Sequence, residues 1–159
     1  MKKYLMTWYG ITDFRASLGL EQSTGPVLGA LLAEDYADVI ILGFTHPDKS
    51  KNKIDGFQQQ IENIKDSDPG AGKEFIDLFS NSVEAHNHFT QWLENQLLDA
   101  GKKVDVHFHP VGLKHLNDTE GIYEAATQSL NAVAASEVEK LVTLYLSPGT
   151  PVIAFVLAF

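Results

Sequence analysis

Hydroxyl side chains, glycine and proline are concentrated in one short segment near the C-terminal end of the chain, Ser147-Pro148-Gly149-Thr150-Pro151. Pro148 fixes its own φ, Gly149 can take a positive φ, and Pro151 suits the first turn of a helix capped by Thr150. The two hydroxyl groups and the backbone N–H groups of Gly149 and Thr150 would then lie together at a helix N-terminus, which favours an anion. The segment therefore predicts anion binding; an ordinary strand-to-helix turn is the alternative.

A second polar segment, residues 10–19, contains Arg15, the only arginine in the sequence. The guanidinium group is suited to bidentate contact with a phosphate. Asp13 would repel a phosphate unless it orients Arg15 or accepts a hydrogen bond from a ribose hydroxyl. The alternative is a surface ion pair between Arg15 and either Asp13 or Glu21.

Four of the six histidines occur as closely spaced pairs. His86 and His88 lie two residues apart on a predicted helix, so their side chains point roughly 200° apart and cannot share one ion. His107 and His109 lie two apart on a predicted strand and share a face, which is compatible with a pair of metal ligands. Because no further metal-ligating side chain follows at a recognisable spacing, we predict a structural or interfacial role for this pair and no metal site.

The segment after the second predicted strand contributes candidates for the rim of a binding pocket. His46 comes directly after that strand, and Lys49, Lys51 and Lys53 form the one cluster of positive charge. These lysines belong to a solvated loop or guide a polyanionic ligand. The sequence lacks the motifs of serine hydrolases, P-loop NTPases and dinucleotide-binding enzymes, and His46 is the only evident general base near the polar segments.

Length and composition restrict the class of protein. The chain has 159 residues and an apolar content of 44%, so we predict one domain with a substantial core. A net charge of -9 argues against binding to duplex nucleic acid through a broad basic face. The absence of cysteine excludes disulfides and thiolate metal sites. No stretch approaches the roughly 20 apolar residues of a membrane span, and the N-terminus lacks the apolar core of a signal peptide, so we expect a cytoplasmic protein.

Four apolar runs predict the strands that must position these residues: 3–9, 38–44, 104–109 and 140–146. The second and fourth are apolar almost throughout, which is typical of parallel strands covered on both faces. The third alternates, which places it nearer a sheet edge. Helical patterns predict helices at 26–36, 57–64, 74–79, 83–100 and 120–135. We predict polar loops at 11–20 and 45–53 and a break at 66–72.

The alternation of strands and helices predicts an α/β fold, a Rossmann-like three-layer sandwich with a mainly parallel sheet in the order 3-2-1-4. In that order the first and fourth strands are neighbours, and the chain changes direction between them. Ligands of such folds bind at the carboxyl ends of the strands beside this switch point. The loops placed there are 10–19 and 147–151, so we predict that they form one pocket.

Both loops resemble motifs of a known family. The turn at 147–151, after an apolar strand carrying Tyr145, resembles the C-terminal motif of CARF (CRISPR-associated Rossmann fold) domains. The N-terminal stretch looks like the regulatory domain of RNA-repair-type sigma-54-dependent transcriptional activators. Its matching residues are Thr7-Trp8-Tyr9-Gly10-Ile11-Thr12-Asp13, Arg15-Ala16 and Gly25-Pro26. Together the two stretches bracket the whole chain, although the insertion between 44 and 83 departs from the family pattern.

The resemblance implies a homodimeric sensory domain that binds a cyclic oligonucleotide (a cyclic oligoadenylate) or an RNA terminus and controls an attached effector or transcription-activation domain. It also implies ligand-binding residues in both loops: Gly10, Thr12, Asp13 and Arg15 in the first, and Ser147, Pro148, Gly149 and Thr150 in the second. His46 and Lys49 are the predicted rim, and no cofactor is implied. The alternatives are a metal-independent ring nuclease that cleaves the same ligand, and a dimerisation module without a ligand.

The last predicted element is an apolar helix at 152–159. It is under three turns long and has neither a polar face nor a C-terminal cap, so we expect it to be the start of a longer element. We therefore expect residues 1–159 to be a single sensory domain cut from a longer regulator.

Overall fold

The structure, a computed structural model, describes residues 1–50, 55–64, 69–114, 118–135 and 139–145. Within these ranges the chain forms a parallel sheet with helices on both faces. The strands are β1 (Lys2–Trp8), β2 (Asp38–Thr45), β3 (Asp105–Gly112) and β4 (Lys140–Tyr145). Their order in the sheet is β3-β2-β1-β4, and all three pairings are parallel. The predicted fold class and strand order are confirmed.

The helices among the described residues lie between consecutive strands. They are α1 (Ile11–Ser17), α2 (Pro26–Ala33), α3 (Pro47–Ser50), α4 (Phe57–Ile64), α5 (Pro69–Phe79), α6 (Val83–Asp99) and α7 (Thr119–Ala134). The helices predicted at 57–64 and 83–100 are present, the first with the predicted ends and the second one residue shorter. No described helix combines the length and apolar content needed to cross a membrane.

Two apolar clusters hold the helices against opposite faces of the sheet, because alternate side chains of a strand point to opposite faces. On one face the cluster joins β1 and β2 to α2 and α6 through Leu5, Val27, Leu28, Leu31, Val39, Ile41, Phe89, Leu93 and Leu97. On the other face it joins the same strands to α7 through Trp8, Leu42, Phe44, Ile122 and Ala126. All eight residues of β2 are buried, as the continuous apolar run predicted.

Two predicted irregular segments are helical, so these predictions were wrong. Residues 11–17 form α1 where we predicted a polar loop, and α5 begins at Pro69, inside the predicted break. The reason is a third apolar cluster, which the local sequence pattern did not reveal. In this cluster Phe14 of α1 and Leu18, which follows α1, pack against α4 and α5. The residues of α4 and α5 in the cluster are Phe57, Ile61, Ile64, Phe75, Ile76 and Phe79. The short α3 also replaces part of the predicted loop at 45–53.

Candidate functional site

The carboxyl ends of β1 and β2 lie side by side and bring two predicted site segments to one edge of the sheet. Trp8 pairs with Leu42 in the parallel register, and the Tyr9 backbone N–H donates to the Leu42 carbonyl at 3.4 Å. Gly10 follows Tyr9 directly, and β2 continues to Thr45. The start of the first predicted loop therefore lies beside the end of β2.

The second predicted loop follows β4, the other neighbour of β1. Tyr145, the last residue of β4, pairs with Thr7, and the Thr7 hydroxyl lies 3.3 Å from the Tyr145 carbonyl. The predicted contacts of Ser147, Pro148, Gly149 and Thr150, and the helix predicted at 152–159, lie outside the described residues. They stay predictions.

Asp13 joins the beginnings of two helices. Its Oδ2 accepts a hydrogen bond from the Gly10 backbone N–H at 2.9 Å, and its Oδ1 accepts one from the Val27 backbone N–H at 2.9 Å. These bonds satisfy N–H groups that a helix N-terminus leaves without an intrahelical partner. Burial raises the pKa of Asp13, and the hydrogen bonds from Gly10 and Val27 oppose that shift. Asp13 is 1% exposed, so it has a structural role and its carboxylate is not accessible at the surface.

Arg15 and Thr12 are the accessible polar residues of α1. The Arg15 Nε donates to the Glu21 Oε1 at 2.8 Å, and its Nη2 donates to the Leu20 carbonyl at 3.4 Å. The ion pair with Glu21 that we weighed as the alternative for Arg15 is therefore present. Thr12 is exposed in the first turn of the helix. An anion could bind Arg15 only in exchange with Glu21 or beside it.

The predicted rim residues follow β2 and contact the end of α5 and the two residues after it. The His46 backbone N–H donates to the Asn81 carbonyl at 2.9 Å, while its ring Nδ1 accepts from the Asp48 backbone N–H at 3.1 Å. The Lys49 ammonium donates to the carbonyls of Asp77 at 3.0 Å and Ser80 at 2.9 Å. Burial lowers the pKa of Lys49, and the nearby Asp77 carboxylate opposes that shift. Lys49 thus stabilises the C-terminal end of a helix.

A buried polar cluster beneath this edge was not predicted from the sequence. The ring of His86, on α6, contacts the Tyr9 hydroxyl through Nδ1 and the Thr45 Oγ1 through Nε2, the latter at 3.0 Å. His86 is 3% exposed. A signal for this burial was available, because His86, Phe89 and Leu93 occupy the core-facing stripe of α6 at helical spacing.

The other histidine pair has partners of its own. The His107 Nε2 lies 2.9 Å from the Asp38 Oδ1, and the His109 Nδ1 lies 3.1 Å from the Ser129 Oγ. Burial lowers the pKa of His109, and the nearby His107 adds to that shift. Among the described residues there is no group of three or more side chains suited to a metal ion. In the described structure both rings therefore make structural contacts.

The charged side chains that the structure describes at this edge have hydrogen-bond or ion-pair partners within the chain. The Asp13 carboxylate is paired with backbone N–H groups, the Arg15 guanidinium with Glu21, and the Lys49 ammonium with backbone carbonyls. Arg15 is only partly buried, so it can exchange its partner at small cost, because partly exposed ion pairs contribute little to stability. The arrangement therefore suits a polar ligand that competes with Glu21 for the guanidinium.

Comparison with known proteins gives a structural likeness. No family model matches the chain, and no curated protein matches its sequence. Among solved structures, it is similar to "Enterococcus italicus Csm6 bound to cyclic hexa-2'-fluoro-hexa-dAMP", with a TM-score of 0.62 and 13% sequence identity. The match covers 99% of this chain and 30% of that chain, so this chain spans about 30% of the length of Csm6. The chain has a CARF-like fold. The resemblance to sigma-54-dependent activators stays a prediction.

Proposed function

We propose that this CARF-like domain senses a cyclic oligonucleotide, a cyclic oligoadenylate in the first place, at the switch point between β1 and β4. The observation that supports this most directly is the shared fold with Csm6, whose solved structure holds a cyclic oligonucleotide. The strand order supports it independently, because ligands of open parallel sheets bind at the carboxyl ends of strands beside the switch point.

In the proposed complex the residues of α1 and those of the segment 147–151 have different roles. Arg15 leaves Glu21 and binds a ligand phosphate, because the guanidinium fork matches phosphate oxygens. The exposed hydroxyl of Thr12 binds a ribose, and Ser147, Gly149 and Thr150 supply hydroxyl and backbone N–H groups to a second phosphate. Asp13 does not contact the ligand in this proposal. It positions the first turns of α1 and α2 through its hydrogen bonds to the Gly10 and Val27 N–H groups.

Two further parts of the proposal concern assembly and output. A cyclic ligand with two-fold symmetry matches two copies of the chain related by a two-fold axis, each contributing one half of the pocket. Binding then favours one relative orientation of the two copies and so controls an attached effector or transcription-activation domain. An RNA terminus is the second ligand class, because it presents the same phosphate and ribose groups.

Calorimetric titration tests the proposal directly. We expect binding of cyclic tetra-adenylate or cyclic hexa-adenylate, or of an RNA with a 2',3'-cyclic phosphate end, and weaker binding of linear hexa-adenylate. Arg15→Ala and Thr150→Ala should each weaken binding by about 10-fold or more, since a lost charge-assisted hydrogen bond costs roughly 1.5–3 kcal/mol. Lys103→Ala is the matched control, because Lys103 is an exposed cation next to the amino end of β3, at the opposite edge of the sheet.

The outcomes separate the alternatives. No heat with any of these ligands would contradict the sensory function. Wild-type affinity in both Arg15→Ala and Thr150→Ala would show that these two segments do not bind the ligand, whereas a dimer that gives no heat would favour the dimerisation module. Incubation with labelled cyclic oligoadenylate distinguishes sensing from catalysis, because linear products formed without added metal would identify a ring nuclease.

A further inference from the structure

A single side chain of α6 contacts the ends of both central strands. Tyr9 directly follows β1, and Thr45 is the last residue of β2; both side chains hydrogen-bond to the ring of His86, one at each nitrogen. These three residues are 36 to 77 positions apart in sequence. The contact is therefore a tertiary link between two strand ends and a helix.

Aromatic packing fixes the orientation of this link. The Tyr9 ring stacks on Phe89 with centroids 4.4 Å apart and an interplanar angle of 4°, and the His86 ring lies 4.9 Å from the Phe108 ring. Gly43 provides the space, because a Cβ atom at this position would lie 3.0 Å from Tyr9 Cε1 and would overlap the Phe108 ring. The rings therefore have little freedom to turn away from their hydrogen-bond partners.

The protonation states agree with this geometry. Burial lowers the pKa of His86 to about 4. Burial also raises the pKa of Tyr9, with a smaller contribution from Asp13. At neutral pH the imidazole is therefore uncharged, with one donating and one accepting nitrogen. We assign the proton to Nε2, so that the Tyr9 hydroxyl donates to Nδ1 and the Nε2–H group donates to Thr45 Oγ1.

The link lies directly beneath the segments that the proposed function uses. Tyr9 precedes Gly10, whose N–H group binds Asp13, and Thr45 precedes His46, whose N–H group binds the Asn81 carbonyl. We infer that His86 is a positioning residue for the ligand site, which holds the start of α1 and the predicted rim after β2 at a fixed separation through Tyr9 and Thr45. This inference rests on the proposed function for its ligand, although the link itself can be tested without one.

The first test measures the link without ligand. His86→Gln removes the imidazole, and Tyr9→Phe removes one hydrogen bond while it keeps the ring stacking. We expect hydrogen exchange of the Tyr9 and His46 amides, which have the acceptors Leu42 O and Asn81 O, to rise about 10-fold or more in His86→Gln. The rise should be smaller for His46 in Tyr9→Phe. Uniform faster exchange over the whole sheet would show a merely structural residue and would overturn the inference.

The second test measures ligand affinity against a control of matched stability. Leu97→Ala is that control, since Leu97 is 2% exposed in α6, about three turns from His86, and touches neither strand end through a hydrogen bond. At a temperature where all variants are folded, His86→Gln should weaken binding of cyclic hexa-adenylate about 10-fold and Leu97→Ala should leave it unchanged. His86→Asn, whose amide can reach the Tyr9 hydroxyl, should recover part of the affinity.

The two tests distinguish failure of the positioning role of His86 from failure of the proposed sensory function. Wild-type affinity in His86→Gln, with local exchange unchanged, would overturn the positioning role while the sensory function stands. Absence of ligand binding by the wild-type chain, with locally faster exchange in His86→Gln, would contradict the sensory function and support the link between the strand ends.

Discussion

Asp13 stabilises the segment between β1 and α2 through two hydrogen bonds to backbone N–H groups. A carboxylate with 1% exposure is stable in a protein only when its oxygens are hydrogen-bonded, and both oxygens of Asp13 accept backbone N–H groups. One N–H group belongs to Gly10 at the end of β1 and the other to Val27 in α2. Gly25, at φ +83, permits this close approach, because a Cβ atom at this position would lie 3.1 Å from Asp13 Oδ1. A single acidic side chain therefore orders the whole segment 10–27.

Asp13→Ala should destabilise the protein by about 2–4 kcal/mol, because two backbone N–H groups lose their acceptor in a buried place and each such loss costs roughly 1–3 kcal/mol. Urea unfolding followed by circular dichroism measures the change. Asp99→Ala, an exposed aspartate at the end of α6, is the control and should shift stability by less than about 0.5 kcal/mol. A change below about 1 kcal/mol in Asp13→Ala would contradict the structural role.

Glu21→Gln should strengthen ligand binding, because in the proposed complex the glutamate and the ligand compete for the guanidinium group of Arg15. We expect a gain of about 3–10-fold in the affinity for cyclic oligoadenylate, equal to the modest strength of a partly exposed ion pair. Glu34→Gln is the matched control: Glu34 pairs with Lys3 at 3.3 Å, at the amino end of β1. Equal affinity in both variants would show that Arg15 keeps Glu21 when the ligand is bound.

His86 makes stability depend on pH. Its folded pKa, about 4, lies below its ordinary value of 6.5, so the unfolded chain binds the proton more tightly. Its contribution to stability is fully present above pH 6.5 and is lost as the pH falls towards 4. Between pH 7 and pH 5 this single group should cost about 2 kcal/mol of unfolding free energy. In urea titrations His86→Gln should be less sensitive to pH by that amount; parallel curves for the two proteins would contradict the lowered pKa.

At the scale of elements, the sequence predicted what depends on local pattern. The continuous apolar run at 38–44 predicted a parallel strand covered on both faces, and the alternating run at 104–109 predicted an edge strand; β2 and β3 take those positions. The run at 140–146 also predicted a strand covered on both faces, but β4 lies at the other edge of the sheet and its described residues are only partly buried. The helical spacing of Phe89, Leu93 and Leu97 predicted α6. These patterns are sufficient to predict an element, because each one indicates which face of that single strand or helix is buried.

The elements and contacts that were missed depend on distant parts of the chain. The segment 11–17 is polar enough to suggest a loop, and it is helical because Phe14 packs on Phe75 and its neighbours, about 60 residues later in the sequence. The cluster of Tyr9, Thr45 and His86 joins three elements and has no local pattern. Sequence spacing predicted the sheet edge for the proposed site and gave Glu21 as one of two possible partners of Arg15, but it could not identify the backbone N–H groups that bind Asp13.

Gly43→Ala tests the packing between β2, β3 and the Tyr9 ring. The new Cβ atom would meet Phe108 and lie 3.0 Å from Tyr9, so both rings must move. We expect a loss of about 1–3 kcal/mol in the free energy of unfolding, typical of overpacking in a closely packed core. Gly112→Ala, on the neighbouring strand, is the control because its Cβ atom would meet nothing within 4 Å. Equal losses in the two variants would show that strand propensity, and not ring packing, accounts for the effect.

At the scale of the whole molecule, the negative net charge of the chain opposes the binding of the proposed ligand. The chain has a net charge of -9, yet the proposed ligand is a polyanion. A local cation in a partly dry site can outweigh this, because long-range repulsion between exposed charges is screened beyond roughly 8–10 Å at physiological salt. Sharing one ligand between two chains helps further, since each chain then needs to bind only half of the phosphates.

A site shared between two copies, as proposed above, predicts one cyclic ligand for every two chains. Each copy has a single Arg15 and a single loop after β1, so one copy alone can meet only one side of a ring with two-fold symmetry. Calorimetry should therefore give a stoichiometry of 0.5 ligand per chain, and sedimentation velocity of the complex should give the mass of two 17.5 kDa chains. Mixing wild-type protein with Arg15→Ala should give hybrids of intermediate affinity, because such a hybrid retains half of the phosphate contacts. One ligand bound per single chain, with no change in mass, would show that the loops after β1 and β4 of one copy form a complete pocket.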